Sequence, residues 1–354
     1  MTAVAPDWAG LAASVQFPTD LLVDGAWVAG AGRHEVVSPI DGRVVADVAF
    51  ASAADVDRAV SSARTAFEDR RWAGMAPMDR KDVLVRWAHL VTEHADQLAV
   101  LHALEMGKPA REAKAIDMRA VHRTLRWYGE ALDKVLDEMP KVGESSWAMI
   151  EREPAGVVGA ITPWNFPLTL ATWKVAPALA VGCSMVLKPA ENSPLSALYL
   201  AQLGLAAGLP EGVLNVVNGT GAEAGQALAS HPDVDVITFT GSTATGRAIM
   251  TAAAQSNLKR SWLELGGKGA NIVFPDADLD KAAATAAWSV FYNAGQMCSA
   301  GSRLLVHESV KDEVLAKVLE VAAQMQPANP LQDDAPIGSI ASARQLDTVH
   351  RIVT

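Results

Sequence analysis

The sequence predicts an α/β protein built around a parallel β-sheet, and three observations support this. Four short apolar runs alternate with helical segments between Pro154 and Gly241. A second alternation of strands and helices begins near Trp262. Strands that are apolar along their whole length are typical of a parallel sheet covered by helices on both faces.

The length and charge of the chain narrow its possible roles. Its 354 residues suggest two domains. With 30 basic and 40 acidic residues the net charge is −10, which argues against broad binding to nucleic acid or to anionic membranes. The longest apolar stretch is interrupted by Lys174 and Pro177 and is too short to cross a bilayer.

The cysteine and histidine contents exclude two further classes. Cys183 and Cys298 are the only cysteines, so a disulfide scaffold and a four-cysteine metal site are excluded. The eight histidines show no zinc-binding spacing, and no metal is expected. Two isolated thiols fit a reducing compartment, and the predicted location is cytoplasmic.

The segments before the sheet are predicted as a small β region followed by helices. Residues 21–50 carry turn signals and short β-prone runs, and amphipathic helices follow from Asp55 onward, ending near Lys134. Residues 134–153 have β-prone pieces around a Gly-Glu-Ser-Ser turn and predict a projecting hairpin. The exposed edge of such an arm could pair with another subunit.

The main sheet is predicted from runs and intervening helices between Pro154 and Leu265. The expected strands are 156–161, 184–188, 213–217 and 235–240, and the expected helices are 167–180, 194–207 and 221–230. In the second alternation WLEL is followed by strands at 271–274 and 303–307, with helices from Asp278 to about Gln296 and from about Ser309. In parallel sheets of this kind ligands bind at the carboxyl ends of the strands.

Cys298 is the first candidate for chemistry. A cysteine is nucleophilic as its thiolate, and a partly exposed loop between a helix and a strand is a suitable place for one. Cys298, in GQMCSAGSR, is expected in such a loop. A buried, inert thiol is the alternative there, and it is the interpretation given to Cys183 inside an apolar strand.

Glu264 and Asn165 are the next candidates. Glu264 stands between two leucines at a strand end, where burial would raise its pKa toward neutrality and suit a general base. A solvent-facing carboxylate is the alternative. Asn165 lies between Pro163 and Pro167, and a rigid loop that holds an amide donor suits an oxyanion hole. A plain turn asparagine is the alternative.

Two loops suggest a nucleotide. Lys188 and Glu191 follow the second strand and could hold the hydroxyls of an adenosine ribose, which would favour NAD over NADP. The alternative is a solvated charge pair. The small residues of GSTATG, 241–246, precede a helix whose N-terminus would attract a pyrophosphate. This string is weak by itself, and the usual G-x-G-x-x-G is absent after the first strand.

Four aromatic residues could line an apolar substrate tunnel. Core packing is the preferred interpretation for each of them, since aromatic side chains are commonly buried. They are Trp173, Trp288, Phe291 and Tyr292.

Taken together and in this order, these strings resemble the NAD(P)-dependent aldehyde dehydrogenase superfamily. The matching blocks include ITPWNFPL, LKPAENSPLSA, ITFTGSTATGR, LELGGKGANIVF and NAGQMCSAGSR, and the resemblance extends from about Leu22 to the last residue. LELGGK and GQMC are specific to the family, and Glu264 precedes Cys298 by the expected interval. The resemblance therefore favours the functional interpretation of Cys298, Glu264 and Asn165.

The resemblance implies a role for each matched residue. Cys298 attacks the aldehyde carbon, Asn165 and the Cys298 N–H hold the oxyanion, and Glu264 activates the water that releases a carboxylic acid. NAD is the implied cofactor, with NADP less favoured. Implied contacts of the cofactor are Ile161, Trp164, Lys188, Glu191, Gly221, Gly241, Ser242, Thr243, Gly246 and Leu265.

The resemblance also implies domains and partners. Residues 1–133 and 154–265 correspond to an NAD-binding domain, 134–153 to an oligomerisation hairpin, and 266–354 to the N-terminal part of the catalytic domain. A homodimer or homotetramer and a small aldehyde substrate are implied. Ser299, Trp173 and Tyr292 permit a betaine-aldehyde or amino-aldehyde preference.

The family's E-x-F-G-P block and the segments after it are absent from these 354 residues. We therefore expect a C-terminally incomplete chain with little activity by itself. Two alternatives to NAD-dependent acid formation follow. One is a non-catalytic truncated member that binds or modulates oligomers, and the other is an acylating relative that transfers the acyl group to coenzyme A.

Overall fold

A seven-stranded sheet is the centre of the computed structural model, which describes residues 6–354. The strands of the described chain are β1 (Leu21–Val23), β2 (Ala26–Val28), β3 (Gly32–Val37), β4 (Val44–Phe50), β5 (Val157–Ile161), β6 (Ser184–Lys188), β7 (Leu214–Val216), β8 (Val236–Gly241), β9 (Arg260–Leu265), β10 (Ala270–Val273) and β11 (Arg303–Val306). The order in the seven-stranded sheet is β2-β1-β7-β6-β5-β8-β9, and β5 to β9 run parallel.

Helices cover both faces of this sheet, and β5 and β6 are buried at every residue. The longer helices are Trp8–Ser14, Ala53–Glu68, Pro77–Glu93, Ala95–Met106, Arg119–Ala131, Pro167–Ala180, Leu195–Ala206, Thr243–Gln255, Leu279–Phe291, Lys311–Gln324 and Ala343–Val353. Short helical segments are Ala110–Glu112, Ala113–Met118, Leu132–Lys134, Gly221–Gly225, Gln226–Ser230, Tyr292–Gly295 and Glu308–Val310. None of the helices within residues 6–354 has the length and apolarity needed to span a membrane.

The amino-terminal strands β1 and β2 extend the main sheet at its β7 edge. β1 and β2 form an antiparallel hairpin, and Leu22 of β1 pairs with Val216 of β7. The Asp24 N–H also donates a 2.9 Å hydrogen bond to the Asn215 side chain. The edge of the sheet beyond β7 is therefore closed by residues from the beginning of the described chain.

The sequence groups the strand around Trp262 with the second alternation of strands and helices, but in the structure this strand belongs to the main sheet. It is β9, and it pairs along its length with β8 as the last strand of the main sheet. β10 and β11 form a separate parallel pair. The second alternation of strands and helices therefore begins after Leu265. The division of the chain into functional domains at that point stays a prediction.

Residues 134–153 form an exposed arm that folds back on itself. The arm has one antiparallel bridge, in which Glu138 and Ile150 exchange two backbone hydrogen bonds of 3.1 and 2.8 Å. Arg152 adds an ion pair with Glu138. The sequence predicted a β-hairpin with β-prone pieces on both sides of its turn, whereas the structure has this one bridged pair. Trp147 near the tip is 88% exposed.

Candidate active site

The carboxyl ends of the parallel strands bring the candidate residues to one edge of the sheet. Asn165 follows β5, Lys188 ends β6, Gly221 follows β7, and Gly241 ends β8. Glu264 lies at the end of β9, opposite Thr240 of β8. The topology thus gathers five separate segments that are distant in sequence, as expected for a ligand site in an open α/β sheet.

Hydrogen bonds join the Asn165 loop to the turn that leads to Cys298. The Asn165 side-chain amide donates a 3.0 Å bond to the Gln296 carbonyl. Asn293 donates to the carbonyls of Asn165 and Gln296, at 3.1 and 3.2 Å. The Gln296 side chain donates back to the Asn293 carbonyl at 3.0 Å and accepts from the Ala341 N–H at 2.9 Å.

The turn before Cys298 has an unusual backbone. Asn293 and Ala294 are consecutive residues with φ of 53° and 54°, and Gly295 follows at 76°. Left-handed backbone costs a non-glycine residue about 1–2 kcal/mol, so the surroundings must hold this turn in place. The buried side chains of Asn293 and Gln296 supply part of that restraint.

The two cysteines have contrasting environments. Cys298 is exposed in the loop between Tyr292–Gly295 and β11, as the sequence predicted. Among the described residues, no protein acceptor takes the Cys298 backbone N–H, so this donor and the second amide hydrogen of Asn165 are available to a ligand. Cys183 is buried, and burial raises the pKa of its thiol.

Glu264 is exposed, so of the two environments considered for it the structure has the solvent-facing carboxylate. It lies on β9, the edge strand of the main sheet, where alternate side chains face outward. Its negative charge acts on Lys174 of helix Pro167–Ala180. Lys174 donates to the Thr238 hydroxyl at 3.2 Å, and burial lowers its pKa to about 8 despite the opposing effect of Glu264.

The side chain of Lys188 is held in place by Pro189 and Glu191, which follow it in the chain. Its side chain is 2% exposed, donates to the Pro189 carbonyl at 2.8 Å and lies 3.9 Å from the Glu191 carboxylate. Burial lowers the pKa of Lys188 to about 8, and Glu191 opposes that shift. The aliphatic part of Lys188 also lies near Gly225, 3.8 Å from where a Cβ would stand. The predicted charge pair therefore exists, with one buried and one exposed partner.

The segment 241–246 forms a helix N-terminus. The Ser242 side chain accepts a 3.1 Å bond from the Thr245 N–H and begins helix Thr243–Gln255. Gly246 is buried against Leu265, and a Cβ there would lie 2.8 Å from its side chain. Ser242 and Thr243 are exposed, so the first backbone N–H groups of the helix face solvent.

The other predicted cofactor contacts lie around the same edge. Ile161, the last residue of β5, pairs with Lys188 of β6 and with Phe239 of β8. Trp164 is half-buried in the Asn165 loop, and Gly221 is exposed at the start of the segment after β7. Among residues 6–354 no group of three or more His, Cys, Asp or Glu side chains is arranged to hold a metal.

The core interpretation of the four aromatic residues is wrong for two of them. Trp173 is 56% and Trp288 47% exposed, because each points outward from its helix. Trp288 stacks on Tyr292 at 4.4 Å, and Phe166 stacks on the same ring at 6.1 Å. Tyr292 is buried, as the core interpretation expects.

Lys174 and Lys108 lie close to the site but are not among the predicted site residues. A lone charge in an otherwise apolar stretch is the signal that could have found Lys174. In the sequence Lys108 stands between Gly107 and Pro109, a pattern typical of a helix end. It is fully buried, and its contacts with Asp117 and Tyr292, both 2.6 Å, depend on tertiary structure.

The main sheet is open and its central strands are parallel, and the loops described above lie at the carboxyl ends of those strands. This arrangement is typical of α/β proteins that bind nucleotides there. Comparison with known proteins makes the assignment specific. Residues 27–354 match the aldehyde dehydrogenase family, and the chain belongs to that family. The predicted enzyme class, an aldehyde dehydrogenase and hence an oxidoreductase, is confirmed by this membership.

Individual relatives extend over nearly the whole chain. The chain is 47% identical to the NADP/NAD-dependent aldehyde dehydrogenase PuuC of Escherichia coli K12, covering 98% of this chain and 70% of that protein. It is 44% identical to an aminoacetaldehyde dehydrogenase of Pseudomonas aeruginosa, covering 97% of this chain and 70% of that protein.

Solved structures confirm the predicted fold class. The indole-3-acetaldehyde dehydrogenase AldA of P. syringae, in complex with NAD+ and IAA, has a TM-score of 0.97 at 44% identity, covering 98% of this chain and 71% of that one. A gamma-glutamyl-gamma-aminobutyraldehyde dehydrogenase of Burkholderia cenocepacia has a TM-score of 0.96 at 50% identity, with the same coverage.

Proposed function

We propose that this chain carries the site for NAD-dependent oxidation of an aldehyde to a carboxylic acid, with Cys298 as nucleophile. The observation that supports this most directly is the hydrogen bond from Asn165 to the Gln296 carbonyl, because it holds an amide beside the exposed Cys298 loop. A thiol and an amide donor held together are what nucleophilic attack on a carbonyl needs.

The residues of this chain divide the reaction between them. The Cys298 thiolate forms a bond to the aldehyde carbon, and the negative charge that develops on oxygen is met by the Asn165 amide and the Cys298 N–H. NAD, when bound, would accept the hydride that this carbon gives up. Cys298 then holds the acyl group, and Glu264 takes a proton from the water that releases it. The products are a carboxylic acid, the reduced cofactor and the free thiolate.

The residues present fit NAD. The exposed N–H groups at the start of helix Thr243–Gln255 suit a pyrophosphate, and the small residues from Gly241 to Gly246 allow close approach. The Lys188 ammonium and the Glu191 carboxylate suit two neighbouring hydroxyls. A carboxylate disfavours a 2′-phosphate, so we propose NAD as the preferred form over NADP. The P. syringae relative was solved with NAD+.

The substrate is proposed as a small aldehyde, with amino-aldehydes as the first to test. The names of the relatives from P. aeruginosa and B. cenocepacia refer to aminoacetaldehyde and gamma-glutamyl-gamma-aminobutyraldehyde. Trp288 is 47% exposed and stacks on Tyr292, the first residue of the turn that leads to Cys298. The open aromatic face of Trp288 would attract a cationic group.

The arm at 134–153 is proposed as the contact with a second copy of the chain, which would make a homodimer or homotetramer. Its exposed apolar side chains and single internal bridge leave most of its backbone free to pair. The exposed thiol of Cys298 stays reduced in the cytoplasm, where we propose that the enzyme works.

The two cysteines allow a matched test of the chemistry. NADH formation is followed at 340 nm with propanal, betaine aldehyde and aminobutyraldehyde, in the parent chain, Cys298→Ala and Cys183→Ala. Because little activity is expected of these residues by themselves, we expect a low rate of NADH formation that is equal in the parent chain and in Cys183→Ala, and none in Cys298→Ala. Equal rates in both variants would exclude Cys298 as the nucleophile, and no NADH with any aldehyde would contradict the proposed activity.

A further inference from the structure

A fully buried lysine lies beneath the two loops of the proposed site. The Lys108 side chain has no exposed surface and follows Gly107 in the connection between helices Ala95–Met106 and Ala110–Glu112. Its ammonium group lies 2.6 Å from the Asp117 carboxylate and 3.5 Å from that of Glu112. The charge is thus paired, but burying it carries a solvation cost that few core positions tolerate.

The remaining contacts of Lys108 are with the two loops of the site. Lys108 donates a 2.6 Å hydrogen bond to the Tyr292 hydroxyl, at the start of the turn that leads to Cys298. Its ammonium lies 4.5 Å from the centre of the Tyr292 ring and 5.0 Å from that of Phe166. Phe166 directly follows Asn165 in the chain. The Lys108 ammonium therefore contacts Phe166 in the Asn165 loop and Tyr292 in the turn that leads to Cys298.

Lys108 is itself held in place from both sides. The Gly107 carbonyl accepts a 3.0 Å bond from the Ser339 N–H, and the Ala110 N–H donates to the Pro330 carbonyl at 2.9 Å. Gly107 has a φ of 82°, which favours glycine, and a Cβ there would lie 2.3 Å from the Ser339 hydroxyl. Because the backbone on both sides of Lys108 is fixed, its ammonium group can hold the loops that it contacts in a defined position.

The turn that Lys108 contacts is the part of the site that needs such support. Asn293 and Ala294 have left-handed backbone directly after Tyr292, and a strained turn persists only when its surroundings determine it. We propose that Lys108, paired with Asp117, is a positioning residue that sets the spacing between Asn165 and Cys298. This inference rests on the proposed function, because the spacing matters through the oxyanion.

The test removes the charge of Lys108 together with that of Asp117, the nearer of its two carboxylate partners. In the chain carrying Lys108→Met and Asp117→Asn, we expect kcat for aldehyde oxidation to fall by about 30- to 100-fold, since small misplacement of reacting groups is costly. The KM for NAD should change by less than about twofold, because the cofactor loops do not contact Lys108. A kcat within about twofold of the parent, in a folded variant, would overturn the inference.

Lys259→Met is the matched control. Lys259 is also buried, but it bonds to the Ala229 carbonyl and the Ser256 hydroxyl at the opposite edge of the sheet. We expect this variant to lose thermal stability while its kcat stays within about twofold of the parent. If Lys259→Met lost as much kcat as the Lys108→Met/Asp117→Asn variant, the loss would be explained by lower stability alone, and the inference would be overturned.

Two further measurements test the inference if the double variant does not fold or if the parent chain is inactive. If the double variant does not fold, Tyr292→Phe removes only the hydroxyl that Lys108 binds, and an unchanged kcat there would overturn the inference. Hydrogen exchange at residues 292–298 is independent of turnover. We expect it to be faster in Tyr292→Phe than in the parent, and equal exchange would overturn the inference even if the parent chain formed no NADH.

Discussion

The side-chain amide of Asn165 donates a 3.0 Å hydrogen bond to the backbone carbonyl of Gln296, two residues before Cys298. This bond joins a loop after the central strand of the main sheet to a turn that begins more than a hundred residues later in the chain. It fixes one hydrogen of the amide and thereby aims the other. The predictions below depend on this and on neighbouring contacts.

Replacing Asn165 tests the oxyanion donor directly. We expect Asn165→Ala to lower kcat by about 10²- to 10³-fold, the usual effect of removing one such donor. Asn165→Asp keeps the size and loses the amide hydrogens, so it should show a similar fall. Both variants should keep their affinity for NAD, measured by calorimetry. Full activity in Asn165→Asp would exclude the donor role.

Glu264 separates hydrolysis from acyl transfer to coenzyme A. With Glu264→Gln we expect one equivalent of NADH to form rapidly and turnover then to stop, because the acyl group stays on Cys298. Mass spectrometry of the intact chain should show the added acyl mass. If coenzyme A restores turnover in the parent chain and no free acid forms without it, the acylating alternative is the correct one.

Glu191 is predicted to set the preference for NAD. We expect Glu191→Ser to raise kcat/KM with NADP relative to NAD by about tenfold, since a carboxylate beside the ribose repels a 2′-phosphate. Glu211→Ser is the control, because Glu211 is an exposed glutamate in the loop before β7, at the amino edge of the sheet. An equal change in both variants would indicate an effect of net charge alone.

Glu105 gives a prediction about stability and pH. It is fully buried, accepts a 2.7 Å bond from the Leu195 N–H and also pairs with Ser196, and burial raises its pKa to about 7. Because the folded state prefers the protonated acid, its stabilising effect is complete below pH 4.5 and is lost as pH rises to about 7. The loss is about 3 kcal/mol at about 1.4 kcal/mol per pKa unit.

The measurement is urea unfolding of the parent chain and of Glu105→Gln at pH 5 and pH 8. Glutamine keeps an acceptor for the Leu195 N–H and does not titrate. The free energy of unfolding should therefore fall more between the two pH values in the parent chain than in the variant. The same fall in both chains would mean that Glu105 is not the group responsible.

The sequence predicts the main sheet well because burial leaves a strong local pattern. β5 and β6 are apolar at nearly every position and covered on both faces, so their bounds were found within a residue. Local patterns make Asn165 and Cys298 candidates only, because each lies in a predicted loop where a non-functional role is also possible. The resemblance to a known family then connected residues that no local pattern relates.

Exposure at the edges of the fold was harder to predict. Glu264 has leucine neighbours and looks buried in sequence, but it lies on the outermost strand of the main sheet. Trp173 and Trp288 are large and apolar, yet they point outward from their helices. Lys108 has no local signal of burial, because Asp117 and Tyr292 reach it from separate segments. Each of these depends on which elements pack together.

The position of β1 beside β7 has a consequence for how the protein is made. Asp24 and Asn215 are 191 residues apart in sequence, so the first strands have no sheet to join until β7 leaves the ribosome. At roughly 5–20 residues per second, that is an interval of about 10–40 s. During this time the apolar residues Leu21 and Leu22 stay unburied, and chaperones that hold nascent chains have their best opportunity to act.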